Sequence, residues 1–259
     1  MSSKYEGKFI WYDVMTTDVP AAKAFYTKVV GWEASDSDTA GQDYVHFAAN
    51  GVPMGGLMEL QADAKARGVP PCWNGYIGVS DVDDCVTRIK AAGGSVLREA
   101  QDIPGVGRFA VVADPGGAAF IVMRGFSEQP MPEIPPTAPG HVGWRELQAH
   151  DLQKAFDFYA TVFGWTKSDA MDMGPMVVYQ MFKTGGEWAV GGMMTRMPDI
   201  QWPYWLYYFN VDAIDAAVTR ITENGGRIVH GPSEVPGPMF IVQALDPQGA
   251  LFALVAPKR

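Results

Sequence analysis

The sequence has few of the residues that form disulfides or bind metals. It contains 2 cysteines and 4 histidines in 259 residues. Two thiols, Cys72 and Cys85, are too few for a disulfide framework or a zinc cluster, so a reducing cytoplasm is the expected location. The chain also lacks long apolar runs and has no apolar segment behind its first lysines, which predicts neither a membrane span nor a signal peptide.

Positive charge is also scarce. Lys and Arg number 20 against 29 Asp and Glu, which gives a formal net charge of −9 at pH 7. Such a balance disfavours both nucleic-acid phosphates and an anionic membrane as partners. A small molecule is therefore the expected partner. Hydrophobic residues make up 47% of the chain and charged residues 19%, which is typical of globular domains, and the length suggests two of them.

An internal repeat is the strongest feature of the sequence. Residues 11–32 recur as residues 144–165 at a constant offset of 133, with Trp, Asp, Phe-Tyr and Gly-Trp in step. Residues 86–115 recur as residues 218–247 at an offset of 132. The repeats therefore predict four copies of one module, arranged as two similar halves.

A proline-rich segment separates the halves. Five prolines lie between positions 130 and 139, and such a stretch enters neither helix nor sheet interiors. The expected divisions are a first domain 1–126 with modules 8–65 and 72–124, a linker 127–139, and a second domain 140–259 with modules 141–197 and 204–256.

Each module reads as a strand, a helix and three further strands. In the first module, Asp18 is the expected helix N-cap, Pro20 fits the first helical turn, and Gly31 marks the helix end. The Asp-Pro turns at Asp114 and Asp246 predict tight hairpins between the last two strands of their modules.

This βαβββ pattern, with Phe-Tyr before Gly-Trp and a late Asp-Pro-x-Gly turn, resembles the vicinal oxygen chelate superfamily. That superfamily includes glyoxalase I, extradiol dioxygenases and bleomycin resistance proteins. The resemblance implies an α+β fold in which four βαβββ modules form two glyoxalase-fold domains, each a cupped mixed sheet with helices outside. It covers nearly the whole chain and is closest to two-domain glyoxalase-like proteins. The superfamily hosts several chemistries, so the fold alone assigns none.

The metal ligands that the resemblance implies are mostly replaced. Trp11 and Trp144 stand where the first strands of the family carry His or Gln, and an indole does not ligate a divalent metal. Glu59 alone has an expected ligand type. The other ligand positions hold Asn74, Leu206, Ile121 and Ala253. We therefore expect no tightly bound metal, with one divalent ion as the alternative.

Two acids near these positions are the predicted catalytic groups. Strand alternation places Asp13 on the face of Trp11, and Glu146 on the face of Trp144. Ionised, such a carboxylate takes a proton next to a carbonyl; protonated, it donates to a substrate oxygen. An inward carboxylate that is bonded to backbone or tyrosine also serves a purely structural role, and this alternative stays open.

Five further residues complete the predicted site as substrate-binding groups: Trp11, Trp144, His46, Glu59 and Asn74. The expected function is binding of a small, partly apolar molecule, with carbonyl-bearing metabolites as one class, in which the carboxylates orient the ligand or act as general bases. A metal-dependent lyase or dioxygenase and a drug-sequestering protein of the bleomycin-resistance type are the alternatives. The sequence leaves open monomer or homodimer, and enzyme or binding protein.

Overall fold

The computed structural model describes residues 3–39, 42–127, 132–174 and 177–259. A short 3-10 helix, Ser3–Tyr5, precedes the first strand. The elements of the first half are β1 (Phe9–Thr16), α1 (Val19–Val29), β2 (Glu33–Thr39), β3 (Gln42–Ala49), β4 (Val52–Glu59), α2 (Ala62–Ala66), β5 (Cys72–Gly78), α3 (Val82–Ala91), β6 (Ser95–Ile103), β7 (Gly107–Ala113) and β8 (Ala119–Gly125).

The second half repeats this order without a counterpart of α2 among the described residues. Its elements are β9 (Val142–Ala149), α4 (Leu152–Phe163), β10 (Thr166–Asp172), β11 (Val178–Lys183), β12 (Gly191–Thr195), β13 (Tyr204–Asn210), α5 (Ile214–Glu223), β14 (Arg227–Val235), β15 (Met239–Leu245) and β16 (Leu251–Ala256). The predicted βαβββ module is confirmed in all four copies. The sequence did not predict α2.

The strands form two eight-stranded mixed sheets in the described part of the chain. The strand order is β2-β3-β4-β1-β5-β8-β7-β6 in one sheet and β10-β11-β12-β9-β13-β16-β15-β14 in the other. Within each module the first and last strands pair in parallel, as β1 pairs with β4, and neighbouring hairpin strands pair antiparallel. The predicted α+β class is therefore confirmed.

Helix starts follow the predicted capping chemistry. The carboxylate of Asp18 accepts a hydrogen bond from the backbone N–H of Ala21, and Pro20 lies in the first turn of α1. Asp151 caps α4 in the same way through Lys154. The α4 helix ends at Gly164, whose φ of 70° suits a residue without Cβ. In the described residues no helix is long and apolar enough to cross a membrane.

Contacts between Cα atoms divide the chain into two compact units, and each unit contains modules from both halves of the sequence. One unit comprises Met1–Trp11, Gly75–Met131 and Arg145–Trp205. The other comprises Tyr12–Asn74, Pro132–Trp144 and Leu206–Arg259. The predicted domain boundaries follow the sequence repeat instead and stay a prediction. Residues 128–131 of the predicted linker lie outside the described residues.

A buried chain of hydrogen bonds lies inside the unit that begins at Tyr12. The indole N–H of Trp73 donates to the Tyr26 hydroxyl at 2.9 Å, and this hydroxyl donates to Asp246 Oδ2 at 2.9 Å. Asp246 also closes its hairpin by accepting the backbone N–H of Ala250. The predicted Asp-Pro hairpin thus has a second role, because it anchors the helix of another module.

The unit that begins at Met1 contains the equivalent chain of hydrogen bonds. Trp205 donates to the Tyr159 hydroxyl at 2.9 Å, and Tyr159 donates to Asp114 Oδ2 at the longer distance of 3.4 Å. Trp165, which follows α4, is 2% exposed and donates to the carbonyl of Gly7. These bonds satisfy polar groups that burial would otherwise penalise.

Candidate functional site

Asp13 and Tyr44 form a carboxylate–phenol pair in which the carboxylate is buried. Asp13 lies in β1 with 3% of its surface exposed, and the Tyr44 hydroxyl donates to Asp13 Oδ1 at 2.5 Å. Gly56 of β4 lies beside Asp13 in the sheet register. A Cβ at Gly56 would overlap the Tyr44 ring, so the ring reaches Asp13 only because this residue is glycine.

The second half repeats this arrangement around Glu146. The Tyr179 hydroxyl donates to Glu146 Oε2 at 3.2 Å. Gly192 lies beside Glu146 in the register, and a Cβ there would overlap the Tyr179 ring. The predicted acids thus share two neighbours in both halves: a tyrosine from the third strand of the module and a glycine from the fourth.

Neither tyrosine was predicted as a site residue. A repeated signal was present, because Tyr44-Val45-His46-Phe47 and Tyr179-Gln180-Met181-Phe182 share a Tyr-x-x-Phe pattern. Each pattern precedes a Gly-Gly pair, at residues 55–56 and 191–192. The pattern alone gives no partner for the phenol, since the partner depends on the register between strands.

His46 belongs to the first of these clusters. It is half-buried in β3, pairs with Gly56, and its ring centroid lies 4.8 Å from that of Tyr44. The structure therefore brings His46, Tyr44 and Asp13 together on one face.

Glu59 lies elsewhere. It pairs with Thr16 in the register, three residues beyond Asp13, so strand alternation places it on the opposite face. Glu59 is exposed and forms an ion pair with Lys65 at 2.6 Å, an interaction that contributes little at a surface. Glu59 nevertheless lines an open groove of about 700 Å³ together with Asp18 and Tyr44. The binding role of Glu59 stays a prediction.

The remaining predicted residues are half-buried or buried in their strands. Asn74 is 7% exposed and donates to the Cys72 sulfur at 3.7 Å. Trp11 is half-buried and packs on the apolar cluster that contains Tyr76 and Phe109. Trp144 is half-buried in β9. Their ligand contacts stay predictions.

The electrostatics near Glu146 favour a protonated phenol. Burial raises the pKa of Tyr204 to about 12, and the charges of Glu146 and Asp199 add to this rise. Tyr204 is therefore a hydrogen-bond donor over the whole physiological range.

The side chains do not provide the metal donors that the fold implies. No group of three or more His, Cys, Asp or Glu side chains in the described residues is placed to hold a metal ion. Three implied ligand positions are buried and apolar: Ile121 is 5% exposed, Leu206 is 1% exposed and Ala253 is fully buried. This donor set does not fit a divalent metal.

Comparison with known families agrees with this fold. The profile of the glyoxalase/bleomycin resistance protein/dioxygenase superfamily matches residues 8–122 and again residues 139–254. The chain belongs to this superfamily. The suspected family is therefore confirmed, and each half contains one copy of its domain.

Relatives from this superfamily align over most of the chain. CFP32 of Mycobacterium tuberculosis, which is named as a glyoxylase, is 33% identical over 249 residues, covering 95% of this chain and 94% of its own length. The anthracycline biosynthesis protein DnrV of Streptomyces peucetius is 33% identical over 257 residues, covering 95% of this chain and 91% of its own.

Solved superfamily structures share the fold at low identity. The Mn(II)-bound glyoxalase from Novosphingobium aromaticivorans has a TM-score of 0.64 at 18% identity, over 97% of this chain and 81% of its own. The 2,3-dioxygenase LapB from Pseudomonas has a TM-score of 0.64 at 13% identity, over 96% of this chain and 91% of its own. These likenesses establish the fold alone.

Proposed function

We propose that the protein binds a small, partly apolar, carbonyl-bearing molecule at its two carboxylate–tyrosine pairs, without a tightly bound metal. The observation that carries this proposal is the buried Asp13 bonded to Tyr44, repeated as Glu146 bonded to Tyr179. On ligand binding the phenol would turn its single proton from the carboxylate to the carbonyl oxygen, and the released carboxylate would orient the ligand or accept a proton next to that carbonyl. Each pair therefore has the two functions that a carbonyl ligand requires.

The apolar part of the ligand has suitable partners in the same strands. Trp11 and Trp144 precede the two acids by two positions and are half-buried, and we propose that they stack on the ligand. His46 and Asn74 would supply further polar contacts. The names of the relatives, a glyoxylase and an anthracycline biosynthesis protein, support a small-molecule role. The proposal places the protein in the cytoplasm, as a monomer or homodimer.

Substitution of the acids tests this proposal. The probe is 2-methylanthraquinone, a flat apolar diketone, titrated calorimetrically into wild type and into the isosteric variants Asp13→Asn and Glu146→Gln. Loss of a hydrogen-bonding charge should weaken binding at each site by about 10-fold or more. The exposed acids Asp212 and Glu223 provide matched controls as Asp212→Asn and Glu223→Gln. Unchanged affinity in both site variants would remove the proposed role of the acids.

A metal-dependent lyase or dioxygenase is the second candidate, favoured by the fold shared with a Mn(II)-bound glyoxalase and a dioxygenase. Elemental analysis of untagged protein, purified without chelator, separates the two. Near-stoichiometric metal that disappears in Glu59→Ala favours this second candidate. A sequestering protein of the bleomycin-resistance type predicts instead that the bound probe is recovered chemically unchanged after long incubation.

A further inference from the structure

Gln148 adds a second polar group beside Glu146. It lies two residues further along β9, is 7% exposed, and donates through Nε2 to Glu146 Oε1 at 2.9 Å. Its own Oε1 is buried and accepts no hydrogen bond from any residue that the structure describes. Buried acceptors in folded proteins almost always have a donor, from the protein, a water or a ligand, so this oxygen is open to a ligand donor.

The surrounding groups restrict where that ligand donor binds. Both oxygens of Glu146 already accept protein hydrogen bonds, from Gln148 and Tyr179. Tyr204, whose pKa burial raises to about 12, keeps its proton and offers an O–H donor. Within this cluster, Gln148 Oε1 is thus the buried acceptor that no described residue occupies.

The first half lacks this acceptor. Gln148 corresponds to Met15 at the repeat offset of 133 residues. The neighbouring strand is also changed, because Met181 pairs with Gly192 where His46 pairs with Gly56. The first half therefore has the imidazole of His46 and the thioether of Met15 near its acid. The second half has the thioether of Met181 and the amide of Gln148. The two sites share the carboxylate–tyrosine pair and differ in the groups around it.

We propose that Gln148 Oε1 accepts a hydrogen bond from an O–H or N–H group of the bound molecule, so that the second site selects hydroxylated or amino-bearing carbonyl compounds. This inference rests on the proposed function, which supplies the carbonyl-binding site that Gln148 specifies. A ligand without the donor leaves the buried oxygen unpaired and binds more weakly, which is the general basis of such discrimination.

Two matched probes test the selection. 2-(Hydroxymethyl)anthraquinone carries a non-ionising hydroxyl, and 2-methylanthraquinone lacks it. Calorimetric titration of the full-length protein should show one binding event that prefers the hydroxyl probe by about 3- to 10-fold. Gln148→Met, which copies Met15 of the first half, should abolish this preference while binding of 2-methylanthraquinone persists.

Gln180→Met is the matched control. Gln180 is a buried glutamine that directly follows Tyr179. Its side-chain amide donates to the backbone carbonyls of residues 168, 169 and 181. This variant should keep the hydroxyl preference, and thermal unfolding of both variants checks that they fold. An equal preference in wild type and in folded Gln148→Met overturns the inference alone. Binding of neither probe by wild type contradicts the proposed function and the inference together.

Discussion

The Tyr26 hydroxyl donates to Asp246 across 220 positions of sequence, at 2.9 Å and out of contact with solvent. Tyr26 lies in the helix of the first module and Asp246 in the last hairpin of the fourth. Trp73 completes the chain by donating to the same hydroxyl. The first and last modules are thus joined by a polar contact inside an apolar interior, where an unpaired group costs more than the bond itself contributes.

Removal of this hydroxyl should destabilise the fold. Tyr26→Phe leaves the Trp73 N–H and the Asp246 carboxylate without their partner, and we expect a loss of about 1–3 kcal/mol in the free energy of unfolding. Tyr159→Phe is the matched variant, and its bond to Asp114 is longer at 3.4 Å. Urea unfolding should show the larger loss for Tyr26→Phe. Equal or reversed losses would contradict the assignment of strength from these distances.

The sequence predicted these two hairpins and helices separately but did not pair them. Strand and helix periodicity shows which face of an element is buried, and turn chemistry shows where a hairpin closes. Neither indicates which distant element lies against that face. The repeat placed Tyr26 and Tyr159 in equivalent positions. Their partners, Asp246 and Asp114, belong in each case to a module of the other sheet.

The sequence likewise indicated only some of the residues of the candidate site. Alternation placed Asp13 on the same face of β1 as Trp11, and the structure shows that Asp13 is 3% exposed. The ligand position of Glu59 came from the family resemblance, and the structure shows Glu59 exposed and paired with Lys65. The β3–β4 pairing is irregular between Phe47 and Ala48, and such a shift is not readable from composition. The Tyr44 partner of Asp13 depends on that pairing.

Burial of Asp246 should give the stability a definite pH dependence. Burial raises the pKa of the Asp246 carboxyl, and hydrogen bonds from Ala250 and Tyr26 oppose the rise in part. A raised folded pKa means that the carboxyl contributes most stability below its unfolded pKa of about 3.9 and loses that contribution as the pH rises through the folded pKa.

Asp246→Asn cannot titrate, so it should lack this pH-dependent loss. We expect the stability of wild type relative to Asp246→Asn to decrease as the pH rises from about 4 towards neutrality. Urea unfolding of both proteins over a series of pH values measures the difference. An exposed control, Asp212→Asn, should show no comparable trend. A difference that increases with pH would show that the carboxyl is held ionised instead.

The glycine beneath Tyr44 should be required for the carboxylate–phenol pair. A methyl group at Gly56 would overlap the Tyr44 ring, so Gly56→Ala must displace the ring from Asp13. We expect a destabilisation of about 1–3 kcal/mol together with weaker binding of 2-methylanthraquinone. Gly186→Ala is the control, because a Cβ there meets no atom within 4 Å. A Gly56→Ala protein with wild-type stability and affinity would contradict the described packing.

The central claim is that the carboxylate–tyrosine pairs bind a carbonyl compound without help from a tightly held metal. The most direct measurement is a titration of untagged protein with 2-methylanthraquinone before and after treatment with a chelator, followed by addition of manganese. The account predicts the same affinity in all three states and a loss of at least about 10-fold in Asp13→Asn. Binding that disappears with the chelator and returns with manganese would contradict it.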